Sequence, residues 1–317
     1  MISRRLLRIK ALQIAYAYHL SDNSSLIKAE KELLFSVGKS YELYHLVLLL
    51  LLEISSYAEK RIEIKRSKHF PTQEEANPNT RFVENPIIVK LRENDSFLRY
   101  IDQRHISWAN YPELIKHLYN KLIESDEYKS YMDSADLKYN EHRDFLYFLI
   151  EEILVPDDYL SQILEERSIF WNDDIDFAAG MAAKTLGNCK EAKTARLFPM
   201  FKDEDDRKFL IDLFRKSVVN GIEHRELIKK YTKNWDFDRI ATMDILIMQM
   251  AITEAIEFPS IPTKVTLNEY IEIAKYYSTE KSSVFINGIL DKTLSTLKNE
   301  NIIKKTGRGL IGETRKK

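Results

Sequence analysis

The chain has 317 residues, 44% apolar and 31% charged, with a formal net charge of −1. This balance gives a globular protein with a sizeable core and excludes a disordered chain or a uniformly basic polyanion binder. One cysteine, Cys189, excludes internal disulfides and a cysteine-based zinc site, and the 8 Gly and 8 Pro with few alternating apolar/polar runs favour helices over sheets.

The first predicted helix runs from about Ser3 to Tyr18, with Leu7, Ala11, Ile14 and Tyr18 on one stripe. At about 100° per residue, Arg4, Arg5 and Arg8 share a different arc, with Tyr16 at its edge. No sustained apolar segment or small-residue cleavage site marks a signal peptide, so a cytoplasmic location is expected. Ser24 or Ser25 caps a second, shorter helix to about Val37, and Gly38 is expected to end it. A long helix follows from about Tyr41 to Lys65. Its apolar run Val47 to Leu52 stops at Glu53, short of the ~20 residues of a membrane span, so it reads as a buried core and no membrane contact is expected. Phe70 to Phe82, with Pro71, Asn77, Pro78 and Asn79, reads as an exposed loop.

Asn85-Pro86 supplies a cap and first position for the next helix, and Tyr111-Pro112 opens another. Glu141 to Leu154, Asp157 to Phe170 and Ile175 to Leu186 follow, the last closed by Gly187-Asn188. Asn172 to Asp176 resembles a cation loop only faintly. It lacks the glycine and distal glutamate of a calcium hand, so helix capping is the better reading. Asp203 to Asp206 place negative charge at a helix start, and that helix is expected to continue to Tyr231. From Arg239 to Ala255 apolar residues lie on nearly all sides, which predicts a central buried helix. Thr266 and Glu269 have capping-box spacing for a helix ending near Tyr277, and Ser282 or Ser283 caps the last helix. Beyond it, Lys304, Lys305, Arg308, Arg315, Lys316 and Lys317 with three glycines predict a flexible basic tail.

The seven histidines show no HxxxH spacing, and there is neither a nucleophile motif nor a Gly-rich phosphate loop. No enzyme, cofactor or metal site is therefore expected. The chemistry that stands out is the arginine-bearing first helix. Arginine supplies phosphate contacts and planar stacking, and an aromatic face receives an unstacked base of a single strand. The blander reading is that these arginines keep a helix end solvated.

Four C-terminal segments stand out together with the first helix: Asp244 to Glu254, then Ile261-Pro262-Thr263-Lys264-Val265-Thr266-Leu267-Asn268-Glu269, then Glu272 to Lys275, then Ser282 to Asp291 with its Phe285-Ile286-Asn287-Gly288. In order and spacing, without a gap, they resemble the NusB family of transcription antitermination factors. Arg5, Arg8, Ala11, Leu12, Gln13 and Tyr16 match the family's N-terminal motif. Gln249 replaces the family's usual arginine, Thr253 its usual tyrosine, and Lys281 stands where an acidic residue is common. The chain is also longer than the family's usual length.

The resemblance implies an all-α fold, a NusB-type antiparallel helical bundle with an inserted helical region. Residues 1–37 and 200–300 would form the bundle, 38–199 an insertion of unknown role and 301–317 the tail. It implies a non-enzymatic RNA-binding factor that clamps single-stranded, boxA-like leader RNA of ribosomal RNA operons. The ribosomal protein NusE and the transcription elongation complex would be its partners. Arg4, Arg5, Arg8 and Tyr16 form the expected RNA site, with Lys275, Tyr277 and Lys281 adding to it. Asn268, Glu269, Asn287 and Gly288 are expected to be structural, Gly288 where another backbone approaches closely. Two alternatives remain. One is a ribosomal RNA cytosine methyltransferase carrying this module, for which the α/β cofactor domain and catalytic cysteines are absent. The other is a helical protein-interaction scaffold in ribosome biogenesis with little specific RNA binding.

Overall fold

The computed structural model describes residues 1–21, 25–191, 195–232 and 237–312, and among them the fold is all-α with no strand. Ser24, Trp235, Asp236 and the basic residues Arg315, Lys316 and Lys317 lie outside the described residues. The chain divides into two compact units, one formed by residues 3–37 and 201–317, the other by residues 1–2 and 38–200.

Two helices open the chain, α1 (Arg4–Leu20) and α2 (Leu26–Arg66). Ser3 caps α1 by accepting from the backbone N–H of Leu6. The expected break at Gly38 does not occur, and α2 runs through it. A helical glycine costs about 1 kcal/mol relative to alanine. Burial of Leu33, Val37, Leu43 and Tyr44 on either side outweighs that.

Eight short helices belong to the unit of residues 38–200: α3 (Gln73–Ala76), α4 (Pro86–Arg92), α5 (Asp95–Arg104), α6 (Pro112–Glu124), α7 (Asp126–Asp133), α8 (Tyr139–Phe148), α9 (Asp158–Arg167) and α10 (Ile175–Asn188). Asn85 caps α4 from its side chain, with Pro86 at the first helical position. The expected loop at 70–82 holds a turn of helix closed by a Thr72–Glu75 capping box. The end of the predicted Glu141–Leu154 helix is a wide-wound segment, Leu149–Leu154. Asp174 starts α10 and, buried, takes the Ser40 hydroxyl at 2.5 Å. Within this unit the apolar run of α2 is buried. By length and composition α2 could cross a membrane, yet most of its apolar window is covered by protein.

The second unit adds α11 (Glu204–Val219), α12 (Gly221–Tyr231), α13 (Thr242–Glu257), α14 (Thr263–Tyr277) and α15 (Glu280–Asn299). The single helix expected from Asp206 to Tyr231 breaks at Asn220-Gly221. Gly221 accepts from Gln249 Nε2 of α13 at 2.5 Å, which holds the corner. The predicted central helix is α13: Ile247, Met248, Met250, Ala251 and Ile252 are fully enclosed. It packs against α1 and α11 as well as α12, α14 and α15. The last helix is capped by Thr279 rather than by Ser282 or Ser283.

The expected flexible tail is docked over its first part. Ile303 is buried, Lys305 Nζ donates to the carbonyls of Ala255 and Phe258 at 2.8 and 3.2 Å, and Thr306 N–H donates to Pro259 O at 3.0 Å. A lysine there answers the carbonyls left unpaired at the end of α13.

Candidate functional site

The arginines of α1 do not form the free cationic stripe that the sequence predicts. Arg4 Nε donates to Asp206 at 2.8 Å, and Arg5 makes a two-point bond to Glu269, both at 2.9 Å. Arg8 reaches Glu254 through Nε and Nη2 at 2.7 and 2.9 Å, with Glu269 a further 3.6 Å from its Nη1. Arg8 is 3% exposed and Glu254 fully buried. As a direct phosphate contact Arg8 is therefore corrected: its planar fork faces the interior, and its role there is to hold α1 on α13.

The charge network is dense and mutually satisfied. Thr266 Oγ1 and Tyr270 Oη also donate to Glu254, at 2.8 and 3.3 Å. Burial works to lower the Arg8 pKa, but the Glu254 charge and hydrogen bonds outweigh it and push it up. Burial likewise works to raise the Glu269 carboxyl, while the bond from Arg5 and the charges of Arg8 and Arg5 hold it below the ordinary value. Thr266 and Glu269 are thus internal ligands of this network and not the capping box of a helix start, because Pro262 at the cap position begins α14 a turn earlier.

A more open surface lies further along α1. Gln13 Nε2 donates to Tyr277 Oη at 3.1 Å, which ties the middle of α1 to the end of α14. Tyr16, one turn beyond Gln13 on the same helix, is half-exposed, as is Tyr277. Ser278, the next residue, donates to Asp244, and Asp244 in turn lines a groove of about 460 Å³ with Arg239, Ile240, Ala241, Lys281, Ser282 and Phe285. Lys281 lines that groove, and neither Tyr16 nor Tyr277 is among its lining residues. Lys275 is exposed and paired with Glu272 at 2.5 Å, a surface pair that a polyanion can compete for. Arg239, Asp244 and Phe285 are not among the residues the sequence assigns to an RNA site. Arg239, just ahead of the most apolar helix, is the signal that could have found this groove.

Several motif residues are placed differently from expectation. Asn268, Asn287 and Gly288 are exposed, and a Cβ at Gly288 would meet nothing within 4 Å, so no backbone crosses there. The two substitutions on α13 have partners of their own: Gln249 holds Gly221, and Thr253 Oγ1 shares a 3.1 Å hydrogen bond with His224 Nδ1. Among the described residues no cluster of three or more His, Cys, Asp or Glu is arranged to hold a metal ion.

Comparison with known proteins gives a consistent result. Residues 178–295 match the model of the NusB family. A transcription antitermination protein NusB from Salinibacter ruber is 41% identical over 130 residues, 41% of this chain and 81% of that protein. One from Finegoldia magna is 39% identical over 111 residues, 34% of this chain and 81% of that protein. One from Chloroherpeton thalassium is 44% identical over 102 residues, 32% of this chain and 48% of that protein. No solved structure matches the chain significantly.

Proposed function

The chain belongs to the NusB family, and on that premise we propose that it is a non-enzymatic, cytoplasmic, RNA-binding transcription antitermination factor. Its RNA is single-stranded and boxA-like, from ribosomal RNA leaders, and it acts with the ribosomal protein NusE in the transcription elongation complex. Residues 38–199 are read as a helical insertion in a bundle formed by 1–37 and 200–300.

The observation that carries the RNA reading is the tie between Gln13 and Tyr277. It ties α1, which carries half-exposed Tyr16, to half-exposed Tyr277 at the end of α14, and Ser278, the residue after Tyr277, bonds Asp244 of the groove that Lys281 and Arg239 line. Aromatic faces for unpaired bases next to cations for phosphates are what a single-strand site requires. Arg4 and Arg5, each about 40% exposed, contribute at the edge of α1, and Arg8 positions that helix from within. Lys275 adds a further charge near Tyr277.

One observation favours the scaffold reading instead: all three arginines are already met by carboxylates. Affinity for a boxA-like RNA and for a scrambled one, with and without NusE, separates the two. The RNA reading expects preference for the boxA-like strand, strengthened by the partner and weakened by Lys281→Glu and Tyr277→Ala. Sequence-blind binding that persists with the partner present would leave the scaffold.

A further inference from the structure

The unit of residues 38–200 carries a feature that the family reading leaves unused. The last two turns of α2 and the residues after it bear Lys60, Arg61, Lys65, Arg66 and Lys68, all exposed. Against them stand exposed Glu63, half-buried Glu59, which is paired with Arg92 at 3.4 Å, and Glu74 and Glu75 just beyond, the latter paired with Lys68. Lys65 and Arg66 alone would be explained by the negative end of the helix, where cations are favourable. Lys60 and Arg61 lie a turn or more earlier and Lys68 lies beyond, so the excess of charge is larger than a helix end asks for. Arg61 and Lys65 are four residues apart, hence on one face.

That face borders a groove of about 330 Å³, walled by Lys65, Tyr119, Tyr128, Asn79 and Glu75 among others. Tyr119 stands edge-on to Tyr57 with ring centres 5.1 Å apart. Glu75 is engaged by Lys68 and by the Thr72 backbone, and exposed Glu74 is a second acid of the same rim. Just past the helix, Phe70 is 88% exposed with His69 5.2 Å away, and Ile64 is 60% exposed. Phe70 and Ile64 thus leave apolar surface open to water close in sequence to these cations.

We propose that this ridge is a second single-stranded RNA contact, in which Arg61, Lys65 and Lys68 bind phosphates while Phe70 and the tyrosine-walled groove receive unstacked bases. The proposal rests on the RNA-binding reading above and assigns a role to the 38–199 segment. Charge complementarity selects a polyanion. The alternation of rings with cations selects a single strand over a duplex, whose bases are not available to stack.

The test uses the full chain and a labelled boxA-like RNA flanked by oligouridine, with affinity measured across salt concentrations. Each phosphate contact on a single strand contributes about 0.7 to the slope of log affinity against log salt, so Arg61→Glu with Lys65→Glu should lower it by about 1.4. Affinity should fall roughly tenfold or more, and Arg61→Lys with Lys65→Arg should restore both, which separates charge from misfolding. Phe70→Ala should weaken binding with the slope unchanged. If the double reversal leaves affinity and slope intact while Lys281→Glu weakens binding, the ridge is not a contact and the first site stands. If the wild-type chain binds no RNA, both readings fall. If the reversal instead abolishes binding to phosphatidylserine vesicles and spares RNA, the ridge serves a membrane surface and the proposal is overturned.

Discussion

Arg8 and Glu254, far apart in sequence, meet in a buried two-point bond of 2.7 and 2.9 Å that joins α1 to α13. Neither charge has access to water, and Glu254 is further held by Thr266 and Tyr270. Removing one member of such a pair strands the other, which costs about 3–5 kcal/mol. Arg8→Ala is therefore expected to destabilise the protein by that order in denaturant unfolding. Arg8→Met with Glu254→Leu should recover much of the loss, since it removes both charges together. A cost below about 1 kcal/mol for Arg8→Ala would mean that the pair is not what fixes α1.

Arg5 gives the contrasting case, because its bond to Glu269 lies at the half-exposed rim. Arg5→Ala should cost about 1 kcal/mol or less of stability. If Arg5 also touches phosphate, RNA affinity should fall and the salt slope should shrink by about 0.7. An unchanged slope would remove Arg5 from the RNA site and leave it as a helix anchor.

What the sequence made legible follows from which signals are local. Helix periodicity is local, so α1 and the buried α13 are readable from their own residues, as are the Asn85-Pro86 start of α4 and the acidic start of α11 at Asp203 to Asp206. Arginine partners are not local: nothing near Arg8 announces Glu254, and so a cationic arc was read as a free surface. The same blindness misread Thr266 and Glu269, whose spacing suits a capping box but whose partners come from elsewhere in the chain. Gly38 misled in the opposite sense. Glycine permits a helix end without requiring one, and packing on either side decided for continuity.

Glycines inside helices offer a gain in stability. At both Gly38 and Gly288 an added methyl group would meet nothing within 4 Å. Gly288→Ala and Gly38→Ala should each stabilise by about 0.4–1 kcal/mol, chiefly by restricting the unfolded chain. Thermal unfolding checks this. A loss at Gly288 would show that the helix needs that position bare for a contact not made within the chain.

His45 provides a pH dependence that can be isolated. Its ring is stacked on Tyr100 with centres 3.7 Å apart, its Nδ1 lies 2.8 Å from the Tyr41 carbonyl, and burial lowers its pKa to about 4. The folded state thus resists protonation while the unfolded chain protonates near 6.5. Above that value the neutral ring costs nothing. As pH falls from about 6.5 toward 4 the unfolded state binds the extra proton and stability is lost, by about 3 kcal/mol in all. Carboxylates such as Glu269, held below their ordinary value, also give up stability on acidification, at the lower end of this range and beyond. The difference between wild type and His45→Phe across urea unfolding at several pH values isolates the histidine. Parallel profiles between pH 6.5 and 4 would show that burial does not hold the ring neutral below its ordinary pKa.

The docking of the residues after α15 turns on Gly309. A Cβ there would lie 2.0 Å from the Pro259 carbonyl oxygen and 3.0 Å from its carbon, and both belong to backbone that cannot swing aside. Gly309→Ala should therefore release the segment that Thr306 and Lys305 fasten to the end of α13. The segment carries little buried apolar area besides Ile303. Release should therefore cost no more than about 1–3 kcal/mol, while freeing the backbone around Lys304, Lys305 and Arg308, two of which are already exposed, to enter the trypsin cleft. Limited proteolysis of the two forms should show faster cleavage at these residues in the variant, with the helical units still intact. Equal cleavage rates would mean that the close approach at Pro259 is not what secures the chain end.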